Sequence, residues 1–229
     1  MENKPKLNIL AYNFPPVGRS GSLRNLFYSK YFSEKFNVKI ITAKNFHEFY
    51  TIDKSLLKKV PKNIKISRYK YIPSDPYLTF IPHHVLHILP DPHGTWKSVL
   101  ENSKKEITDC DVLIVSIPPA SSLLALEKLL SYKKPKQVIL DFRDPWVSLL
   151  LRQRKHSFVS KYMTDYWARK KTKILKMVDV ILVTSKFHKK WMAKDFPNIK
   201  KEKIKVIYNG ICFSISASSK ICYISIKNP

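Results

Sequence analysis

The sequence predicts an α/β fold of the Rossmann-like, doubly wound type, built on a parallel sheet. Short apolar runs alternate with helix-like segments along almost the whole 229-residue chain, which is the order expected of a sheet flanked by helices. The first apolar run is followed by a glycine loop, a helical pattern and a second apolar run. That order is a βαβ unit, so its two strands are expected to lie parallel.

The opening elements follow from their residue patterns. Residues 7–14 (LNILAYNF) form a short apolar run with a turn signal behind it, as expected of a buried strand. A helix is expected over 22–36, capped by Ser20 or Ser22. Its predicted apolar face consists of Leu23, Leu26, Phe27 and Tyr31.

A long excursion rich in proline and histidine separates the two halves of the predicted sheet. It spans residues 71–96, and excursions of this length in a compact domain are more often functional than accidental. The remaining strands are expected over 37–43, 64–69, 112–117, 137–142, 179–184 and 204–208, and the remaining helices over 96–107, 121–132, 157–177 and 186–195.

The charge balance favours an anionic partner. Lys and Arg number 42 against 17 Asp and Glu, a formal net charge of +25, which attracts nucleic acid, an acidic membrane surface or phosphorylated substrates. A general compositional bias towards Lys, Asn and Ile, with few glycines, would explain the same net charge without any anionic partner. No helix-turn-helix, RNA-binding signature or zinc finger is present, so a specific nucleic-acid partner is not expected.

Cysteine usage and hydropathy predict the compartment. The three cysteines, Cys110, Cys212 and Cys222, form no C-x-x-C pair, which fits a reducing cytosol. The N-terminus lacks a signal-peptide pattern, and no run approaches the ~20 apolar residues of a membrane span. We expect a cytoplasmic protein, with peripheral attachment to the inner face of the membrane as an open alternative.

The glycine loop FPPVGRSGSLRN predicts a ligand site. In open α/β sheets, ligands bind beyond the carboxyl ends of the strands, and Gly18 and Gly21 would let a phosphate approach the free N–H groups of the first helical turn. The spacing is not G-x-G-x-x-G, so a dinucleotide fingerprint is not supported. Arg24 would add positive charge for a phosphate or carboxylate. The alternatives are a simple tight turn and a solvated arginine.

A second polar cluster, DFRDPW, directly follows a predicted strand. It places Asp141, Arg143 and Asp144 at the carboxyl edge of the sheet, where buried charges are usually paired or functional. Asp141 and Asp144 are the candidate catalytic carboxylates. An Asp–Arg pair that merely holds the loop is the alternative.

Six segments carry a family resemblance in this order: YNFPPVGRSGSLR, VKIITA, SIPPASSLLA, LDFRDPW, VDVILVTSK and IKVIYNG. Together they resemble the N-terminal domain of GT-B glycosyltransferases, most closely the retaining class that builds bacterial surface polysaccharides. The resemblance covers residues 6 to about 210. No single segment is decisive, but the ordered set is specific.

The resemblance implies an acceptor-side domain of a nucleotide-sugar enzyme. Its glycine loop would face the donor diphosphate across an interdomain cleft, and the loops after SIPP and LDF would line the same cleft. Family members often carry a histidine where this chain has Ser121 and Ser122, which leaves the catalytic side chain unassigned. The resemblance implies neither a metal nor another cofactor. The residues expected to bind donor phosphate or acceptor are Gly18, Ser20, Gly21, Arg24, Arg143 and Ser121.

The end of the chain departs from the family pattern. Family members continue past the junction, here Asn209 and Gly210, into a second Rossmann-like domain that grips the donor. Residues 211–229 differ in composition from the rest, and we expect a truncation or frameshift after domain 1–210, with an incomplete donor site. Two functions stay open: glycosyl transfer from a nucleotide-diphosphate sugar to a glycan or lipid-linked acceptor, or a non-catalytic remnant that binds acceptor or membrane.

Two further patterns carry weaker hypotheses. A metal site is conceivable at the histidines of the excursion, but nearby prolines interrupt any helix, and we expect a structural or acceptor-loop role. The predicted helix 157–177 is amphipathic and basic, and packing against the sheet is favoured over membrane contact. The excursion residues in question are His83, His84, His87, His93 and Asp91.

Overall fold

One parallel sheet of seven strands organises the computed structural model, which describes residues 4–44, 51–72, 95–144 and 169–209. The strand order is β3-β2-β1-β4-β5-β6-β7, so the chain starts in the middle of the sheet and builds outward in both directions. The strands are β1 Lys6–Leu10, β2 Asn37–Ala43, β3 Lys65–Tyr69, β4 Val112–Ile117, β5 Gln137–Phe142, β6 Val180–Val183 and β7 Ile204–Val206.

Helices connect the strands. The described part of α5 covers 169–177, and short 3₁₀ helices lie at Lys54–Lys59 and Lys201–Lys203. The remaining helices are α1 Ser20–Phe32, α2 Trp96–Asn102, α3 Lys104–Thr108, α4 Ala120–Tyr132 and α6 Lys186–Asp195.

The predicted fold class is confirmed, with corrections at helix ends. The predicted helix 96–107 is broken at Ser103 into α2 and α3. The residue before α1 is Arg19, whose side chain makes no capping hydrogen bond, so the expected cap by Ser20 or Ser22 is wrong. Most of the excursion and the first part of helix 157–177 lie outside the described residues.

The central strands of the sheet are buried on both faces, as in parallel sheets generally, whereas the edge strand β3 contains no buried residue. Within β4, Leu113 and Val115 belong to a large core under α2–α6, whereas Val112 and Ile114 belong to a smaller core with Tyr28 of α1. Because strand residues alternate between faces, an apolar run such as VLIVSI fills both cores. Burial on both faces explains why these strands could be predicted from apolar runs in the sequence.

Helix α1 buries a polar face, contrary to expectation. Leu23 and Tyr31 are 38% and 42% exposed, whereas Ser22, Asn25 and Ser29 are fully buried. The Asn25 amide donates from Nδ2 to the carbonyl oxygens of Asn13 (3.1 Å) and Gly21 (3.0 Å). Asn25 thus ties the loop after β1 to the helix through the Asn13 carbonyl, while the Ser29 hydroxyl donates to the carbonyl oxygen of Leu26 within α1 (2.7 Å).

Candidate functional site

A buried ion pair joins α1 to the end of β5. Arg24 donates from Nε to Oδ2 of Asp141 (2.7 Å) and from Nη2 to Oδ1 (2.8 Å). Arg24 is 7% exposed and Asp141 is 0% exposed. Burial by itself lowers the pKa of Arg24, but the hydrogen bonds with Asp141 more than offset this and raise it. The pair is bidentate and therefore geometrically specific.

The remaining guanidinium nitrogen of Arg24 holds the predicted junction. Nη1 donates to the carbonyl oxygen of Ile207 (3.1 Å) and to Oδ1 of Asn209 (2.9 Å). All three nitrogens of the group are thus engaged. The alternative of a solvated arginine is wrong, and direct phosphate binding by Arg24, which stays a prediction, would require these bonds to open.

Gly21 is small because Arg143 lies against it. A Cβ atom at Gly21 would stand 1.5 Å from Nη1 of Arg143 and 2.5 Å from its Cζ. Arg143 also donates from Nη2 to the carbonyl oxygen of Pro118 (2.7 Å), and its own carbonyl accepts from Thr184 (3.1 Å). One guanidinium therefore connects the glycine loop, the loop after β4 and the loop after β5.

Gly18 occupies a tight connection between loops. Its N–H donates to the carbonyl oxygen of Thr51 (2.8 Å), and a Cβ there would lie 3.2 Å from Cβ of Asp53. The neighbouring Val17 and Ile52 form an antiparallel bridge. Because the Gly18 N–H is already donated, contact with a phosphate at this atom would require the loop to open.

The other predicted residues lie at the same edge with different exposure. Ser20, at the start of α1, and Asp144, after β5, are exposed. Ser121 is buried in the first turn of α4. Asn209 is exposed and bound to Arg24, and Gly210 lies outside the described residues. The structure thus collects the predicted residues that it describes at one edge of the sheet.

His188 is a candidate site residue that the sequence patterns did not predict. It lies in the first turn of α6, is 2% exposed, and its N–H donates to the capping Ser185 hydroxyl (3.0 Å). Its Nδ1 has no hydrogen-bond partner within the described residues. Burial lowers the pKa of His188, and the charges of Asp144 and Asp141 only partly oppose this. Its position a few residues after β6 in the chain could have indicated that it lies at the carboxyl edge of the sheet.

The hypotheses of a metal site and of membrane contact both stay predictions. Within the four described stretches, no three His, Cys, Asp or Glu side chains group as a metal site, and the histidines of the excursion lie outside them. None of the helices in the described part of the chain is long and apolar enough to cross a membrane.

A match to a protein-family profile shows the family to which the chain belongs. The profile described as Glycosyltransferase Family 4 matches residues 34–214. The chain belongs to this family. The match spans β2 to β7 and so includes Pro118, Asp141 and His188. Among curated proteins, none matches the chain significantly.

Solved structures of GT-B glycosyltransferases share the fold at low sequence identity. HepE from Anabaena, in complex with UDP and glucose, superposes with a TM-score of 0.52 at 12% identity, over 90% of this chain and 45% of that one. UGT2 from Phytolacca americana, in its apo form, gives 0.52 at 12% identity, over 93% and 53%. LpCGTa in complex with UDP gives 0.53 at 8% identity, over 93% and 55%. The chain thus spans about half the length of these structures.

Proposed function

We propose that this chain is the acceptor-side half of a retaining glycosyltransferase of the bacterial polysaccharide type. The reaction moves a sugar from a nucleotide-diphosphate donor to a hydroxyl of a glycan or lipid-linked acceptor. The donor is gripped mainly by a second α/β domain, as the resemblance implies. The enzyme works in the cytoplasm, peripherally attached to the inner face of the membrane.

The observation that carries this proposal is the convergence at Arg143. Its side chain lies against Gly21 and donates to Pro118, so the three loops that the family resemblance singles out meet at one cation. Loops that converge at the carboxyl edge of a parallel sheet form the place where α/β proteins bind ligands. Membership of Glycosyltransferase Family 4 supplies the reaction class.

Charge stabilisation is the chemistry that these residues can provide. The first turn of α1 presents the N–H groups of Ser20 and Gly21 at its positive end, next to the Arg143 guanidinium. A leaving diphosphate at this place would be stabilised by fixed dipoles and one cation. No metal or other cofactor is part of the proposal.

The two candidate carboxylates take different roles in the proposal. Both oxygens of Asp141 accept hydrogen bonds from Arg24, and the residue is fully buried, so we assign it to positioning. Asp144 is exposed at the same edge and its charge acts on the buried His188. We propose that Asp144 orients the acceptor hydroxyl.

The test is ligand binding and turnover by the full chain. We use UDP-glucose as the first donor probe because HepE was solved with UDP and glucose, and a polyprenyl-linked sugar as the acceptor probe. We expect acceptor binding, weak donor binding and little or no turnover by the chain alone. Arg143→Ala should weaken binding of the probes at least tenfold, because one charge-assisted contact is lost.

The matched control is Arg169→Ala, which removes an exposed arginine of α5 with the same change in net charge. It should leave binding unchanged. Equal effects of the two substitutions, or binding of neither probe, would contradict the proposal. Binding of the acceptor without any donor binding would favour the alternative of a non-catalytic acceptor-binding module.

A further inference from the structure

A pair of aromatic rings lies on α6 beside its buried face. Phe187 and Trp191 are four residues apart, and their ring centroids lie 4.3 Å from each other with the planes tilted by 53°. Phe187 is 60% exposed. The neighbouring face of the helix is fixed, because His188 and Met192 are buried, the latter in the large core. Trp191 is half-buried, so Phe187 is the ring of the pair that faces solvent.

A row of lysines runs beside this ring pair. Lys186, Lys190 and Lys194 recur every four residues and are exposed, so they lie one above the other on the helix. No ion pair of these lysines occurs among the residues that the structure describes. The helix face is thus a basic ridge next to an aromatic one.

This arrangement is unfavourable for α6 in water alone. Like charges four residues apart repel each other. Lys186 also sits at the positive end of the helix dipole, and the first turn contains no acidic residue to offset it. A negatively charged surface would remove both penalties, and an apolar layer behind that surface would accept the exposed ring.

We infer that α6 docks the protein onto an anionic phospholipid bilayer. The lysines contact lipid phosphates while their alkyl chains and the Phe187 ring enter the interface. The net charge of +25 adds attraction at longer range. The first turn of α6 lies at the carboxyl edge of the sheet, so docking brings that edge towards the bilayer. The inference rests on the proposed function, since it names the surface for the peripheral attachment and orients the site towards a lipid-linked acceptor.

Nucleic acid is the other common polyanion, and the ring geometry speaks against it. Bases of single strands stack on open aromatic faces. Here the Phe187 and Trp191 rings contact each other, which reduces the face available to a base. An exposed aromatic ring beside lysines is instead typical of helices that lie in a membrane interface.

The experiment measures co-sedimentation of the full chain with vesicles, without sugar donor or acceptor. Vesicles of phosphatidylcholine with phosphatidylglycerol are compared with phosphatidylcholine alone. We expect binding only to the anionic vesicles. The triple variant Lys186→Gln, Lys190→Gln, Lys194→Gln should bind on the order of a hundredfold more weakly, since each lysine near such a surface contributes about fivefold.

The matched control is Lys30→Gln, Lys35→Gln, Lys65→Gln. It removes three exposed lysines from α1, the turn after it and the far edge strand β3, with the same change in net charge. It should bind almost as the parent does. Equal losses in the two triple variants would show attraction by net charge only and would overturn the inference.

Two further arms complete the test. Phe187→Ala should weaken vesicle binding several-fold, and this loss should persist at high salt, because burial of an exposed ring is not screened. Loss of duplex DNA binding in the α6 triple variant, without any vesicle binding by the parent, would make nucleic acid the partner and overturn the inference. Since no sugar substrate is present, a failed transfer reaction leaves this result unaffected.

Discussion

The two edges of the sheet use the same kinds of charged residues in opposite ways. At the amino edge, lysines pair with aspartates that precede the strands, as in Lys6–Asp109 (3.0 Å) and Lys136–Asp111 (3.1 Å). The lysine side chains of both pairs are largely exposed. At the carboxyl edge, Arg24 and Asp141 form a pair that water hardly reaches. These pairs at the amino edge are solvated, whereas the Arg24–Asp141 pair at the carboxyl edge is built into the core.

This difference teaches where charge carries structural weight. Exposed pairs gain little because water screens them and because both side chains lose freedom. A buried pair need not stabilise the fold relative to apolar residues, but removal of one partner leaves an uncompensated charge in the interior. The carboxyl edge should therefore be sensitive to single substitutions and the amino edge tolerant of them.

The largest expected effect is at Asp141. Asp141→Asn leaves the Arg24 guanidinium buried without its counter-charge, and we expect the free energy of unfolding to fall by about 3–5 kcal/mol. Urea unfolding followed by far-UV circular dichroism measures this. Replacement of both partners, Arg24→Met with Asp141→Leu, should lie closer to the parent than either single change.

The amino edge provides the matched comparison for this prediction. Asp109→Asn breaks the pair with Lys6 and, like Asp141→Asn, removes one negative charge. We expect no resolvable change in unfolding. A loss as large as that of Asp141→Asn would show that exposure does not separate the two edges, and the comparison would be wrong.

The central strands could be predicted from the sequence because burial on both faces makes them largely apolar, as in VLIVSI and QVILDF. The sequence also placed the polar loops at one edge, since strand ends are visible in the pattern. It did not reveal which residues meet. The partners of Arg24 are 117 to 185 residues away, and no local spacing encodes such distances. The inward position of Asn25 in α1 was not predicted either, because its hydrogen bond to the Asn13 carbonyl depends on the path of the loop after β1.

A smaller effect is expected at Gly21, with a sign that depends on Arg143. Gly21→Ala forces the Arg143 guanidinium away and breaks its hydrogen bond to Pro118, a loss of about 1.5–3 kcal/mol for a charged donor. Alanine in a helix regains up to ~1 kcal/mol over glycine. We expect a net destabilisation of about 1–2 kcal/mol.

The double-mutant cycle sharpens this prediction. In an Arg143→Ala background the obstacle is gone, so Gly21→Ala should be neutral or stabilising by up to ~1 kcal/mol. Urea unfolding of the four proteins gives the coupling free energy. Destabilisation of the same size in both backgrounds would mean that Gly21 serves the backbone and not the approach of Arg143.

The smallest expected effect is the pH dependence that His188 brings to the carboxyl edge. Because its pKa is lowered in the folded protein from an ordinary value of 6.5, the unfolded chain binds more protons as the pH falls below about 6.5. The free energy of unfolding should therefore decrease from pH 6.5 towards pH 5, with a slope of at most about 1.4 kcal/mol per pH unit for one proton. Carboxylates with ordinary or lowered pKa values contribute mainly at lower pH. His188→Gln should flatten this part of the profile whatever it does to the stability at pH 8, and a slope identical to that of the parent would show that the ring titrates as freely in the folded protein as in the unfolded chain.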